Sequence, residues 1–302
     1  MAARPAVRTC PTCVRPRDRH LRLARYHVPV PIVAVSSPDD ARLIGYHGVS
    51  DPRLAERDGL FVAEGRLVVR RLLSSPALVT RSLLLTAPAH ESLADVLDGR
   101  PDVTVFLASQ DVMNGVAGFN IHRGCLALAE RPAPRAWHDV ANGARRLVVL
   151  EQVGDADNVG STFRCAAAFG AHGVLLGPSC ADPLYRKAIR TSMAATFAVP
   201  FAHAQPWPDV LTALDANGWL VIGLTPRADE APLWEAAAAA HAAPTALVFG
   251  HEGEGLSAAA LRACTRLARI PMAPGVDSLN VSVSVGVALY EISRRPFAET
   301  ES

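Results

Sequence analysis

The sequence predicts an α/β chain in two unequal parts, a C-terminal half built on a parallel sheet and a smaller α/β domain ahead of it. Three observations predict this. From Arg145 onward, short apolar runs alternate with helical stretches at the spacing of β-α-β units. Those runs lack polar alternation, as strands buried on both faces of a parallel sheet do. Ahead of them, residues 36–131 mix β-like and helical runs of their own, and Pro132-Ala-Pro134 opens a linker over 132–144.

Composition agrees with two packed domains. The chain has 302 residues, of which 50% are apolar and 20% charged, so it is not a disordered polymer. A formal net charge of +1 argues against a protein that coats DNA. RNA binding stays open, because it depends on locally clustered basic side chains rather than on the total.

Residues 1–35 read as a disordered basic extension, since the first 30 hold seven arginines against one acid, Asp18. The pair Cys10 and Cys13 looks like half of a zinc site, with His20 and His27 as conceivable completions. A closed site needs four ligands and no second cysteine pair follows at finger spacing, so no metal is expected. Cys125, Cys165, Cys180 and Cys264 are too scattered for a disulfide framework, which predicts reduced thiols and a cytoplasmic protein. The arginine-rich start reaches no continuous apolar stretch before Pro29 and Pro31, unlike a signal peptide. No membrane span is expected either, as the run Leu279–Ile292 is short and carries Asn280, Ser282 and Ser284.

Within 36–131, Leu54–Leu73 supplies a helical pattern interrupted at Glu64-Gly65, and Ser82–Thr86 and Val103–Phe106 read as strands. Over 145–297 the strand candidates are Leu147–Leu150, Gly173–Leu176, Phe197–Val199, Leu220–Leu224, Ala246–Phe249 and Leu267–Ile270. The alanine run Ala236–Ala243 reads as a linking helix.

Three segments carry chemistry. The first runs from the strand end Leu150 through a polar turn to Arg164, at the kind of strand-to-helix junction where open parallel sheets bind ligands. Asn158 and Arg164 are six residues apart and fall on nearly opposite sides of a continuous helix, so Asn158 is expected before the helix or as its N-cap. Arg164 is either a solvated helix arginine or a fork that grips phosphate. The second segment, Phe249 to Ser257, is a buried strand followed by the turn Gly250-His-Glu-Gly-Glu-Gly255. Its glycines let a ligand approach the backbone. It has no Walker lysine, the chain's only lysine being Lys187, and Glu252 favours a cationic or neutral ligand over phosphate. The third segment, Ile270 to Val283, is a strand end, an extended loop and the start of an apolar helix. Ser278 reads as a helix cap, while Asn280 is an amide that needs partners if buried.

Taken together and in this order, the three segments resemble the SpoU (TrmH-like) branch of the SPOUT methyltransferases, over roughly the C-terminal half of the chain. Gly250, Ile270 and Leu279 fall at that family's spacing. Departures are Asp155-Ala156, where members often have Asp-Pro, and His251, where asparagine or serine is common. The resemblance implies a SPOUT domain with a trefoil knot, a homodimer with the site near the subunit interface, and S-adenosylmethionine as methyl donor. It implies that Leu224, Thr225, Gly250, Gly255, Ile270, Met272 and Leu279 hold the donor, and that Asn158, Arg164, Glu252, Ser278 and Asn280 form the catalytic group. In it Arg164 sits at the acceptor oxygen and Glu252 orients that arginine. Residues 36–131 similarly resemble the ribosomal-protein-like RNA-binding domain that often precedes this catalytic domain, through Asp51-Pro52 and the Glu64-Gly65 pair. The implied activity is methylation of a ribose 2′-hydroxyl, in ribosomal RNA rather than transfer RNA. The alternative is a catalytically silent RNA-binding paralogue; a nicotinamide or flavin enzyme is more distant, because the glycine fingerprint after the first strand is missing. Arg164 together with Arg186, Lys187 and Arg190 are the expected RNA contacts, Arg186 and Arg190 sharing one helical face.

Overall fold

A computed structural model describes residues 30–47, 51–117, 124–226, 230–240 and 242–293. The basic extension as far as residue 29, with Cys10, Cys13, His20 and His27, lies outside the described residues.

The N-terminal part is a five-stranded sheet in the order β1-β4-β3-β5-β2. Its strands are β1 (Ile32–Ala34), β2 (Leu60–Glu64), β3 (Thr80–Leu85), β4 (Thr104–Leu107) and β5 (Cys125–Glu130). Helices α1 (Asp51–Asp58), α2 (Arg66–Leu73), α3 (Ala87–Leu97) and α4 (Gln110–Ala117) accompany it, with a 3-10 turn at Ala41–Tyr46. β1 runs parallel to β4, so the domain begins inside the segment assigned from sequence to the extension. The helical pattern Leu54–Leu73 is in fact helix, strand and helix. Gly59 (φ 62°) and Gly65 (φ 97°) adopt left-handed conformations on either side of β2, and no helix continues through such residues. β2 pairs antiparallel with β5 and is buried over most of its length, which hides the strand period from a pattern reading.

The C-terminal part is a six-stranded, wholly parallel sheet in the order β11-β9-β10-β6-β7-β8. Its strands are β6 (Arg146–Leu150), β7 (Gly173–Leu176), β8 (Phe201–His203), β9 (Leu220–Leu224), β10 (Thr245–Phe249) and β11 (Arg266–Ala268). The run Phe197–Val199 is not a strand. Ala194 (φ 65°) turns the chain into a 3-10 turn over Ala195–Phe197, Phe197 packs on Phe61 at 5.8 Å between centroids, and the strand follows at Phe201. Helices α6 (Ala156–Ala168), α9 (Leu233–Ala240) and α11 (Val281–Ser293) share one buried cluster with the sheet. Helices α5 (Trp137–Ala141), α8 (Asp209–Ala216) and α10 (Ala258–Ala263) share the other. α5 falls in the stretch read as linker, where Val140 is drawn into the core beneath β7 and β8.

Helix α7 (Arg186–Thr191) joins the two parts: Leu184, Ile189 and Ala194 are buried in the same cluster as Phe61, Val69 and Leu72. From β6 the chain moves through β7 to the β8 edge, whereas from β10 it moves to the β11 edge. The loops after the neighbouring strands β6 and β10 therefore diverge, and a crevice opens at their carboxyl ends. No helix among the described residues is long and apolar enough to cross a membrane.

Candidate active site

A cavity of about 370 Å³ lies at these carboxyl ends, within the size range of small-molecule sites. Its wall includes Leu224, Thr225, Gly250 and Gly255. Ile270, Met272, Ser278 and Leu279 close it from the third segment. All seven residues assigned to a donor are thus brought together with Ser278. Glu252, Glu254 and Asp277 also line it, and no lysine or arginine does among the described residues. An acidic wall suits a cationic ligand and repels a phosphate.

The turn after β10 is closed on itself. His251 and Gly255 exchange backbone hydrogen bonds of 3.1 and 2.9 Å, and the Nδ1 of His251 accepts from the amides of Gly253 (3.0 Å) and Glu254 (3.2 Å). A Cβ on Gly250 would stand 2.3 Å from the Gly255 carbonyl carbon, so only glycine lets the turn fold this tightly.

Asn158 is not the cap of α6. Asp155 is, its Oδ1 accepting from the Asp157 amide at 3.1 Å, and Asn158 sits buried within the first turn. The carboxamide of Asn158 donates to Glu252 Oε1 at 2.6 Å. Asn280 Nδ2 donates to the same oxygen at 3.1 Å and to Asn158 Oδ1 at 2.9 Å. Asn280, not Ser278, caps α11, its Oδ1 accepting from the Ser282 amide (2.9 Å) and Ser282 Oγ (2.6 Å). Three segments far apart in sequence therefore meet in one amide–carboxylate cluster at the rim of the cavity.

Arg164 is not in that cluster. It is exposed, about 120° round the axis of α6 from Asn158, and Glu252 is bound to the two asparagines instead of to the arginine. The basic trio on α7 is engaged as well. Arg186 Nε and Arg190 Nη1 both stand 4.0 Å from Glu64 Oε2 of the N-terminal domain, as expected of residues on one face. Lys187 pairs with Asp155 and Asp157 at 3.0 Å each.

Sequence reasoning missed Glu151. It is 1% exposed at the end of β6, where its carboxylate accepts from Trp207 Nε1 and from Ser257. The only sequence signal was an acid directly after a buried strand. Burial pushes the Cys264 thiol up to about 12 and the Cys180 thiol up to about 11, which disfavours the reactive thiolate at both.

Residues 145–290 match the model of the SpoU rRNA methylase family. An uncharacterized tRNA/rRNA methyltransferase of Mycobacterium tuberculosis H37Rv is 40% identical over 280 residues, spanning 90% of this chain and 96% of its own. The chain belongs to the SpoU rRNA methylase family. This SpoU protein is 32% identical over 197 residues to a 23S rRNA (guanosine-2′-O-)-methyltransferase of Ralstonia nicotianae, covering 64% of this chain and 78% of that one. The crystal structure of an RNA 2′-O ribose methyltransferase superposes with a TM-score of 0.70 at 25% identity, over 86% of this chain and 98% of the other. The α/β architecture and the parallel catalytic sheet expected from sequence are those of this family, and its members are RNA methyltransferases.

Proposed function

We propose that this SpoU enzyme uses S-adenosylmethionine to methylate a ribose 2′-hydroxyl of ribosomal RNA, working as a cytoplasmic homodimer. The observation that carries the reading is the single acidic cavity formed by the glycine turn 250–255 and the loop 270–280, beside the Asn158–Glu252–Asn280 cluster. The expected trefoil knot is part of the reading, since threading one segment past the other would produce this adjacency.

The residues fit the donor. Exposed amides and glycines can approach an adenosine, and the acidic wall suits a sulfonium. Bound there, S-adenosylmethionine supplies an electrophilic methyl group. The chain's own task is then alignment, which can contribute about 7 to 11 kcal/mol. Asn158, Glu252 and Asn280 hold the two walls of the cavity in register. A 2′-hydroxyl is a poor acid, so negative charge developing on its oxygen needs a nearby cation. Arg164 is the residue for this; a guanidinium stays protonated and acts as a phosphate fork and electrostatic partner rather than as a base.

Its exposure argues that Arg164 completes a site across a subunit interface. Helix α11, which packs on α6, presents Val283, Val287 and Tyr290 to solvent at 50, 41 and 55% exposure, a stripe spaced to lie on one helical face. Phe169 at the end of α6 touches Tyr290, which ties that helix to the stripe. Ribosomal RNA is favoured over transfer RNA by the small α/β domain that precedes the sheet and by the name of the Ralstonia relative.

The test is methyl transfer from labelled donor to purified ribosomal and transfer RNA, with the product nucleoside mapped by mass spectrometry. A 2′-O-methyl nucleoside in ribosomal RNA is the expected product. Donor binding by calorimetry without transfer to any RNA would support the silent paralogue instead. Arg164→Ala is expected to abolish transfer and keep donor affinity; full turnover by that variant would remove Arg164 from the mechanism.

A further inference from the structure

Glu151 is a buried carboxylate that the proposed chemistry does not use. Its Oε1 accepts from Trp207 Nε1 and from Ser257 Oγ, both at 2.7 Å, and its Oε2 accepts from the Ser257 amide at 2.9 Å. No cation pairs with it among the described residues. A buried carboxylate without a counter-ion is costly, and an apolar side chain of similar size would pack at less cost. Something other than packing accounts for its place.

The two ends of the glycine turn supply the reason. The backbone amide of Glu151 donates to Phe249 O at 2.8 Å, just before the turn. Its carboxylate takes both donors of Ser257, just after the turn. Ser257 is also the N-cap of α10, accepting from the Ala260 amide at 3.1 Å, so the helix is fixed along with the turn. One residue thus grips the entrance and the exit of the segment 250–256. Gln152, next in the chain, holds a left-handed φ of 58°, a conformation that costs a non-glycine residue energy and persists where the surroundings impose it. Trp207 braces the far side, its ring within 3.4 Å of where a Cβ on Gly177 would stand.

We propose that Glu151 is a positioning residue for the donor cavity, holding the glycine turn against β6 at the spacing the donor needs. The inference rests on the donor-pocket reading above and adds the residue that sets the shape of that pocket. Three donors converge on two carboxylate oxygens. Glutamine at this position leaves one acceptor and turns an amino group toward a donor, so the turn loses its exit anchor.

Calorimetry of S-adenosylmethionine binding to the full chain, together with steady-state kinetics, tests this. Glu151→Gln is expected to weaken donor binding on the order of tenfold, as loss of hydrogen bonds to a charged group does. The KM for the donor rises by more than kcat falls. Trp207→Phe, which removes one donor and leaves Ser257 bound, is expected to weaken binding by a smaller factor, and serves if Glu151→Gln does not fold. A folded Glu151→Gln protein with wild-type donor affinity and only a lowered melting temperature would overturn the proposal, as would wild-type affinity in Trp207→Phe if that is the only folded variant. Wild-type protein that takes up no donor would instead overturn the pocket reading, and this proposal with it.

Discussion

Asn158 of α6 donates to Glu252 of the glycine turn at 2.6 Å, although 94 residues separate them, and Asn280 closes the triangle from the start of α11. Among the described residues the carboxylate has two amide donors and no cation, the arrangement of a structural acceptor between the two walls of the cavity. Glu252→Ala leaves both carboxamides without their shared acceptor. Donor affinity and methyl transfer are both expected to fall, transfer by about tenfold or more, since each lost charge-assisted bond is worth about 1.5 to 3 kcal/mol. Glu252→Gln presents one oxygen and is expected to recover part of the loss. Equal activity of wild type and Glu252→Ala in a labelled-donor assay would contradict this.

His251 closes its own turn through Nδ1, taking two amides that a serine or asparagine side chain can take equally well. His251→Ala is expected to loosen residues 251–255 and raise the donor Kd severalfold. His251→Asn should restore it, because the carboxamide oxygen accepts from the same amides. A donor titration in which the asparagine variant is as weak as the alanine variant would show that the imidazole does something other than accept these bonds.

The link between α6 and α7 carries a pH signature. The Thr191 hydroxyl, at 2.6 Å, and then Lys187 hold the Asp157 carboxyl below the usual aspartate range, against the opposing effect of burial. A depressed folded-state value adds stability that is complete above the unfolded range, near about pH 4, and is lost as pH falls through the lower folded value. Denaturant unfolding of wild type and Asp157→Asn should therefore differ by a constant, small amount from pH 5 to 8 and converge in more acid solution. A gap that widens on acidification would contradict the assigned sign.

Much of this was readable from sequence where one residue type admits one environment. Leu147–Leu150 and Ala246–Phe249 lack polar alternation because helices cover both sheet faces, and they are the adjacent strands that position the site. The glycines at 250 and 255 announced a tight turn for the same kind of reason. Leu54–Leu73 misled because leucine and valine suit a helix and a buried strand alike, and the two glycines that split it fix the outcome through φ rather than hydropathy. Asn158 was displaced by three positions because Asp155, an equally good cap, comes first. Glu151 and Trp207 were illegible as a pair. Nothing local relates residues 56 apart, and only the packing of β6 against the loop after β8 makes them neighbours.

Arg164 marks the other limit of reading a single chain, and yields the last prediction. Its side of α6 was fixed by helix geometry, yet what that side meets depends on association. The exposed Val283, Val287 and Tyr290 share a face of α11, the helix that packs on α6, where Cys165, next to Arg164 in the chain, contacts the Ser282 carbonyl at 3.5 Å. If two copies pair through this face, burying the stripe drives association and carries each Arg164 toward its partner's cavity. Val287→Glu combined with Tyr290→Asp is then expected to yield a monomer by sedimentation, with methyl transfer lost. Mixing Arg164→Ala protein with a Glu252→Ala variant should restore part of the activity, because each mixed dimer keeps one intact composite site. A monomeric variant with undiminished transfer, or a mixture with no recovery, would show that Arg164 acts within its own subunit or not at all.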